Sequence, residues 1–259
     1  MNGRTLGFIG GGRVARIILG GLKKALQLPE TIVASDTNPD VLKKLQAAFP
    51  GVRAVLNGNR EAAAQDLVFL GLHPPAIGGC LAEIRGGLKP NAILISLAPK
   101  LSIARLKDGL GGFDRTVRLI PNAASIIGEG FNPVAYSEAL RPEDKNAVRA
   151  LLRPLGRCPE VEEGKLEAYA MITAMGPTYM WFQWQELCSL AESFGMSPAE
   201  AATGVGAMVA GSASALFASG MPAEEVMDLI PVRPLGDEEH IIRAMYVSKP
   251  RPLYEKLKG

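Results

Sequence analysis

A glycine-rich segment near the start of the chain has the spacing of a dinucleotide-binding turn. Residues 10–15 read Gly-Gly-Gly-Arg-Val-Ala and fit the pattern G-x-G-x-x-A. In such a segment the first glycine permits a tight turn, the second lets a pyrophosphate approach the backbone, and the alanine allows close packing of helix on strand. The alternative is a glycine-rich turn without a ligand. We expect a nucleotide, held also by the helix dipole, to bind at Gly10, Gly11, Gly12, Arg13, Val14 and Ala15.

An acidic residue follows where dinucleotide sites contact the ribose. Asp36 lies about 20 positions after Ala15 and ends a predicted strand. Its carboxylate is expected to accept hydrogen bonds from the adenosine ribose and to repel a 2′-phosphate, which favours NAD over NADP. Two alternatives stay open. Asp36 caps the following helix, or it turns away so that Ser35, Thr37 and Asn38 accommodate a phosphate.

Polar and proline residues follow three other predicted strands. His73-Pro74, Ala98 and Asn122 each come directly after an apolar run. Ligands of open α/β sheets lie outside the carboxyl ends of the strands. We therefore expect all four residues to border the cofactor, with the Asn122 amide near the nicotinamide carboxamide. For His73 the alternative is a hydrogen-bonded loop histidine.

A helix break in the second half offers a second anion site. Gly176-Pro177 interrupts a helical pattern, and a proline in the first turn leaves the N–H groups of Thr178 and Tyr179 unpaired. Such a helix start suits a substrate carboxylate, and Thr173 would add a hydroxyl donor. The alternative is a proline kink in a core helix.

The elements that must position these residues alternate in the first half of the chain. Helical periodicity is visible over 14–26 and 39–49. Strands alternating with helices at this spacing predict βαβ units and a doubly wound parallel sheet. The apolar, β-prone runs that we predict as strands are 6–9, 31–34, 67–72, 92–97, 116–120 and 133–136.

The second half is predicted to be all-helical. We place a domain boundary near residue 160, which gives domains 1–160 and 161–259. Ser197-Pro198-Ala199-Glu200 is a strong helix start, and the helix that follows is rich in alanine and glycine. Glycine is costly inside a helix, so another backbone is expected to pack closely there. A helical domain this short and apolar predicts a homodimer or higher homo-oligomer.

Composition excludes several classes of protein. The chain has 259 residues, with 28 Lys+Arg against 26 Asp+Glu, and this balance argues against binding to nucleic acid or a membrane surface. Its three cysteines and two histidines fit no disulfide framework and no metal site. Without a secretory signal pattern, these features predict a cytoplasmic protein. Alanine is a weak driver of membrane insertion, so no membrane span is expected in the alanine-rich helix.

Taken together, the motifs resemble those of the pyrroline-5-carboxylate reductase family. Order and spacing agree over about residues 5–225, and the resemblance implies a Rossmann domain and a helical dimerisation domain. It also implies NAD(P)H-dependent reduction of a cyclic imine, 1-pyrroline-5-carboxylate to proline, and it favours NADP. The segments that carry the resemblance are Gly7–Gly12, His73–Pro75 (Lys-Pro in the family), Ile95–Ala98, Val117–Asn122 and Ala174–Tyr179.

One segment departs from the family pattern. The family has Ser-Pro-Gly-Gly-Thr-Thr, whose threonine contacts the imine nitrogen, where this chain has Ile-Pro-Val-Arg-Pro-Leu-Gly-Asp at 230–237. We therefore expect Thr173, Tyr179 and Arg233 to supply the catalytic groups; a surface role for Arg233 is the alternative. Asn122, Gly176, Pro177 and Thr178 are expected to bind substrate. Two other functions stay open: a related NAD(P)-dependent dehydrogenase with another substrate, for whose catalytic lysine Lys165 is the nearest candidate, and a non-catalytic nucleotide sensor.

Overall fold

The computed structural model describes residues 3–258, so positions 1, 2 and 259 of the predicted domains lie outside it. The described residues up to Ala174 and from Tyr254 onward form one compact unit, and Met175–Leu253 form a second. The first unit continues past the predicted boundary near residue 160, because Leu166 and Ala170 bury their side chains against Ile120.

A seven-stranded sheet lies at the centre of the first unit, with strand order β3-β2-β1-β4-β5-β6-β8. Its neighbouring strands run parallel except β8, which pairs antiparallel with β6. A doubly wound, mostly parallel sheet is thus confirmed, and the antiparallel edge strand was not predicted. β7 and β9 pair separately. The strands are β1 (Leu6–Ile9), β2 (Ile32–Asp36), β3 (Val52–Leu56), β4 (Leu67–Leu70), β5 (Ile93–Ser96), β6 (Thr116–Leu119), β7 (Gly130–Phe131), β8 (Val134–Tyr136) and β9 (Gly156–Arg157).

Helices connect these strands and cover both faces of the sheet. Successive residues of β1 point to opposite faces, so Phe8 belongs to one core cluster and Ile9 to the other. Phe8 stacks on Phe69 of β4 with ring centroids 4.9 Å apart. The helices of the first unit are α1 (Arg13–Lys24), α2 (Pro39–Ala48), α3 (Asn59–Ala63), α4 (Pro74–Ile84), α5 (Ile103–Gly109), α6 (Pro142–Leu152) and α7 (Leu166–Tyr169).

A buried arginine ties the loop after β5 to α7. Arg118 of β6, 4% exposed, forms ion pairs with Glu163 (3.1 Å) and Glu167 (2.5 Å). The same two carboxylates accept hydrogen bonds from the main-chain N–H groups of Ile103 (2.7 Å) and Lys100 (3.3 Å). Charge pairing and main-chain bonding together offset the loss of water at the two carboxylates and at the terminal nitrogens of Arg118, whereas the buried Nε of Arg118 has no hydrogen-bond partner among the described residues. The loop at the carboxyl end of β5 is therefore firmly anchored.

The second unit is helical, as the sequence predicts. The helix start predicted at Ser197 is confirmed, and it forms a capping box in which the side chains of Ser197 and Glu200 each accept from the other's main-chain N–H. Within α9 only Ala201 is buried, and Phe217 is 84% exposed. By length and composition alone, α9 is the one helix in the described part of the chain that is apolar enough to cross a membrane. The remaining helices are α8 (Gly176–Ser193), α9 (Pro198–Ala218), α10 (Ala223–Asp228), α11 (Glu239–Ser248) and α12 (Pro250–Lys258), the last of which ends in the first unit.

Candidate functional site

The glycine turn joins β1 to α1 with the geometry that a pyrophosphate requires. Gly10 has φ of 101°, and a side chain there would be directed at the main-chain oxygen of Gly71, so only glycine fits. Gly12 is the N-cap of α1, and a side chain there meets no described atom within 4 Å. Ala15 is 2% exposed and packs in the core. The open side of Gly12 is where an anion can approach the helix N-terminus.

A cleft of about 610 Å³ lies in front of this turn. It borders the carboxyl ends of β1, β2, β4 and β5, and its volume is in the range of small-molecule sites. Seven of the predicted cofactor residues line it: Gly10, Gly12, Arg13, Val14, Ala15, Asp36 and His73. Sequence reasoning missed Arg16, Val41 and Lys44 in the lining, although the three-residue spacing of Val41 and Lys44 places both on one face of α2.

Asp36 is fixed at the rim of the cleft by two main-chain donors. Its Oδ2 accepts the N–H of Gly11 and its Oδ1 accepts the N–H of Asn38, each at 2.9 Å. The N-cap of α2 is Asn38, whose side chain accepts from the N–H of Asp40. The alternative interpretation of Asp36 as the helix cap is therefore wrong. Its carboxylate belongs to the glycine turn.

The cleft carries more positive than negative charge. Arg13, Arg16 and Lys44 line it together with Asp36. His73 stands at the N-cap of α4, where its side chain makes no capping hydrogen bond and its carbonyl accepts from the N–H of Ala76 (3.0 Å). The exposed ring is thus available to a ligand, and the three cations suit a polyanion such as a dinucleotide.

Four predicted cofactor residues do not line this cleft in the described structure. Gly11 points its N–H at Asp36, and Pro74 begins α4. Ala98 is 3% exposed and packs in the second core cluster. Asn122 is 7% exposed, and its amide donates to the main-chain oxygen of Thr173 (2.6 Å). Ala98 and Asn122 therefore support neighbouring backbone in this conformation.

The segment that holds Thr173 forms a π-helical turn, Ala170–Ala174, which the sequence did not reveal. The Thr173 hydroxyl donates to the carbonyl of Tyr169 (2.8 Å). A hydroxyl oxygen keeps acceptor capacity while its hydrogen is donated. Single π turns inside helices occur frequently at functional sites, so this turn is a second candidate region.

At the start of α8, where the sequence predicts a carboxylate site, one of the two expected N–H donors is already bonded within the helix. Pro177 lies in the first helical turn, as expected. The main-chain N–H of Thr178, however, donates to the carbonyl of Met175 (2.9 Å), and its hydroxyl donates to the same oxygen (2.6 Å). The expectation of an unpaired Thr178 N–H is therefore wrong, because the first turn closes with an i to i+3 bond.

The other predicted catalytic residues of the second unit have local partners. The Tyr179 ring meets the Tyr246 ring edge-on at 6.2 Å, and burial, followed by the neighbouring Tyr246, raises the pKa of Tyr179. Arg233 donates to the carbonyl of Met227 (3.0 Å) and contacts the carboxylate of Asp228 (3.2 Å). In this conformation Arg233 stabilises the end of α10.

Two further observations concern the dehydrogenase alternative and the question of a metal site. Lys165, the nearest candidate for a dehydrogenase lysine, is exposed and pairs with Glu162 (3.1 Å). Among residues 3–258 there is no group of three or more His, Cys, Asp or Glu side chains placed to hold a metal ion.

Comparison with known proteins agrees with this geometry. Residues 5–100 match the family model described as NADP oxidoreductase coenzyme F420-dependent. The pyrroline-5-carboxylate reductase of Methanosarcina acetivorans is 26% identical over 257 residues, covering 96% of this chain and 94% of that protein. The solved pyrroline-5-carboxylate reductase of Coxiella burnetii is 26% identical at a TM-score of 0.71, covering 99% and 95%.

The fold itself recurs at lower identity. The pyrroline carboxylate reductase of Plasmodium falciparum, solved with NADP bound, superposes with a TM-score of 0.77 at 20% identity, covering 100% of this chain and 95% of that one. These similarities extend over the helical half as well as the nucleotide half. The chain is therefore similar over nearly its whole length to pyrroline-5-carboxylate reductases.

Proposed function

We propose that the chain is an oxidoreductase that reduces a cyclic imine with NAD(P)H, 1-pyrroline-5-carboxylate being the substrate and proline the product. The observation that carries this proposal is the common cleft of the glycine turn, Asp36 and His73. It lies outside the carboxyl ends of four neighbouring strands, where sheets of this class bind dinucleotides. The relatives that share this chain's length are named for the same reaction.

The residues of the chain fit the nicotinamide cofactor. The N–H groups at the start of α1 and the cations Arg13 and Lys44 would hold the pyrophosphate, and Asp36 would bind the ribose. A bound NAD(P)H supplies a hydride to the imine carbon, and because the imine nitrogen arrives protonated, the products are the cyclic amine and the oxidised cofactor. The protein's contribution is to orient both partners and to exclude water.

The candidates for contacting the substrate follow from the sequence. Thr173 is our candidate for a hydroxyl that contacts the imine nitrogen, since its oxygen keeps acceptor capacity and lies in a π turn. Tyr179 and Arg233 are further catalytic candidates. The candidates for binding the substrate are Asn122, Gly176, Pro177 and Thr178.

Self-association would complete the second unit. Large apolar side chains of this unit are well exposed, including Phe182 at 67% and Phe217 at 84%. Large apolar side chains that are exposed in such number favour burial in an interface. We infer a homodimer or a higher homo-oligomer built on α8 and α9. The free thiols of Cys80, Cys158 and Cys188 support a cytoplasmic location.

One rival function has an observation in its favour. Residues 230–237 contain no hydroxyl side chain, and Arg233 is already bonded to Met227 and Asp228. A non-catalytic nucleotide sensor would retain the cleft and lose the catalytic segment. This rival predicts that NAD(P)H binds and that no imine is turned over.

The two functions separate in one assay. The purified full-length chain is incubated with NADH or NADPH and a range of 1-pyrroline-5-carboxylate concentrations, and cofactor oxidation and proline are both measured. Saturable, stoichiometric formation of proline supports the reductase. Tight binding of either cofactor without any proline would support the sensor and contradict our proposal.

A further inference from the structure

We propose that Asp36 makes this chain selective for NADH over NADPH. The inference rests on the proposed function and specifies its cofactor. Its first basis is the fixed position of the carboxylate. Oδ2 is held by the N–H of Gly11 in the glycine turn, and Oδ1 is held by the N–H of Asn38 before α2, each at 2.9 Å. Two main-chain groups from two different segments thus set one orientation.

That orientation leaves acceptor capacity for a diol. A carboxylate has about four lone-pair sites, and the two main-chain bonds use two of them. One free site on each oxygen can accept a hydroxyl of the adenosine ribose. Because Asp36 lies beside the glycine turn and lines the cleft, the ribose of a dinucleotide on that turn comes within reach.

A 2′-phosphate at the same place would meet the carboxylate instead. Like charges within a few ångströms repel each other strongly where water is partly excluded. If the carboxylate swings aside, the part-buried N–H of Gly11 loses its partner, and the exposed N–H of Asn38 must turn to water. The fixed charge therefore acts against NADPH.

Ser35, Thr37 and Asn38 are the neutral residues that could accommodate a 2′-phosphate, and two of them already make structural hydrogen bonds. Ser35 is fully buried, and its hydroxyl donates to Asn59 (2.8 Å). The side chain of Asn38 caps α2 by accepting from the N–H of Asp40 (2.9 Å). Of the three candidates, the exposed Thr37 is the one without such a structural bond among the described contacts. One hydroxyl is a poor replacement for a phosphate site.

The cations of the cleft offset this repulsion only in part. Arg13, Arg16 and Lys44 are long, exposed side chains, and exposed ion pairs of this kind are worth little in salt. They also serve the pyrophosphate, which NADH and NADPH share. We therefore expect NADH to bind about 10- to 100-fold more tightly than NADPH.

Binding constants test the inference without requiring turnover. NADH and NADPH are titrated into the full-length protein by fluorescence at one fixed ionic strength, and the ratio of the two dissociation constants is the readout. Asp36→Asn and Asp36→Ser remove the charge, and a thermal melt confirms that each variant folds. The matched control is Asp40→Asn, which removes an equally charged, 74% exposed carboxylate that does not line the cleft.

The wild type and Asp40→Asn should show the 10- to 100-fold preference for NADH, and both Asp36 variants should bring the ratio within about threefold. Equal or tighter binding of NADPH by the wild type would overturn the inference and leave the reductase proposal intact. An unchanged ratio in folded Asp36 variants would also overturn it. Failure to bind either cofactor would overturn the inference and the proposed function together.

Discussion

The amide of Asn122 donates a hydrogen bond to the main-chain oxygen of Thr173, with 2.6 Å between Nδ2 and that oxygen. Asn122 follows β6, and Thr173 lies in the π turn 51 positions later. The Oδ1 atom of Asn122 accepts from the N–H of Ala124 (2.9 Å), so the side chain joins two segments. Asn122, which the sequence predicts to lie at the cofactor, thus also fixes the turn that holds a catalytic candidate.

Removal of this amide should destabilise the first unit. Asn122→Ala leaves the part-buried carbonyl of Thr173 and the part-buried N–H of Ala124 without this partner, at a cost of about 1–3 kcal/mol in the free energy of unfolding. Urea unfolding measures the change. Asn146→Ala is the control: Asn146 is exposed and bonds only Arg149 among the described contacts. Its loss should cost within about 0.5 kcal/mol. Equal costs for both variants would contradict the structural role of Asn122.

The two glycines of the nucleotide turn should respond differently to alanine. Gly12→Ala adds a methyl group in open space, so it should fold normally and bind NADH at least tenfold more weakly, because the methyl group blocks the pyrophosphate. Gly10→Ala places a side chain at φ of 101° against the Gly71 oxygen. It should lose about 1–2 kcal/mol of stability from the backbone conformation alone. Thermal melts and NADH titrations measure both effects. Unimpaired NADH binding by Gly12→Ala would show that the cleft is not the nucleotide site.

The Thr173 hydroxyl is expected to act on the substrate. Thr173→Val should lower kcat/KM for the imine more than tenfold, which corresponds to about 1.4 kcal/mol, and Thr173→Ser should restore most of it. Thr203→Val is the matched control, since Thr203 also donates to a carbonyl four residues earlier at 2.8 Å. If Thr173→Val changes the melting temperature as Thr203→Val does and leaves kcat/KM unchanged, the hydroxyl is structural only.

Asp144 should contribute to acid denaturation. Burial by itself raises the pKa of Asp144, but the hydrogen bond from Arg115 (2.6 Å) and the N–H of Arg141 outweigh burial and hold that pKa below its usual range. A carboxyl whose pKa is lower in the folded state contributes stability above its unfolded pKa of about 3.9, and this contribution is lost as the pH falls through the folded value. Melting temperature against pH should therefore fall less steeply below about pH 4 in Asp144→Asn and in Arg115→Gln than in the wild type. Parallel curves for all three proteins would contradict this assignment.

Much of the first unit could be predicted because its strands are short, continuous apolar runs. Leu6–Ile9 and Leu67–Leu70 are buried on both faces, and the glycine turn follows the first of them. β3 was missed because Val52–Leu56 is an edge strand with an irregular burial pattern, and its Arg53 points to solvent to pair with Glu61. A strand with one partner carries a weak periodic signal.

The positions of the candidate site residues were harder to predict where tertiary contacts decide them. No local pattern shows that Asn122 bonds Thr173, since the two are distant in the sequence. The π turn has no distinctive composition. Gly176-Pro177 correctly indicated a helix start, but the bond from the Thr178 N–H depends on how the first turn closes. Residue types and their spacing were enough to predict where the candidate site lies. Which of its polar groups already have hydrogen-bond partners depends on packing between distant segments.

Transfer of a labelled hydride tests most directly the claim that the chain reduces 1-pyrroline-5-carboxylate with a nicotinamide cofactor. The full-length protein is supplied with 1-pyrroline-5-carboxylate and NADH carrying deuterium on the transferred position of the nicotinamide C4, and the product is analysed by mass spectrometry. The account predicts proline that is heavier by one deuterium, bound at the former imine carbon. Unlabelled proline, or no proline from protein that binds NADH tightly, would contradict it.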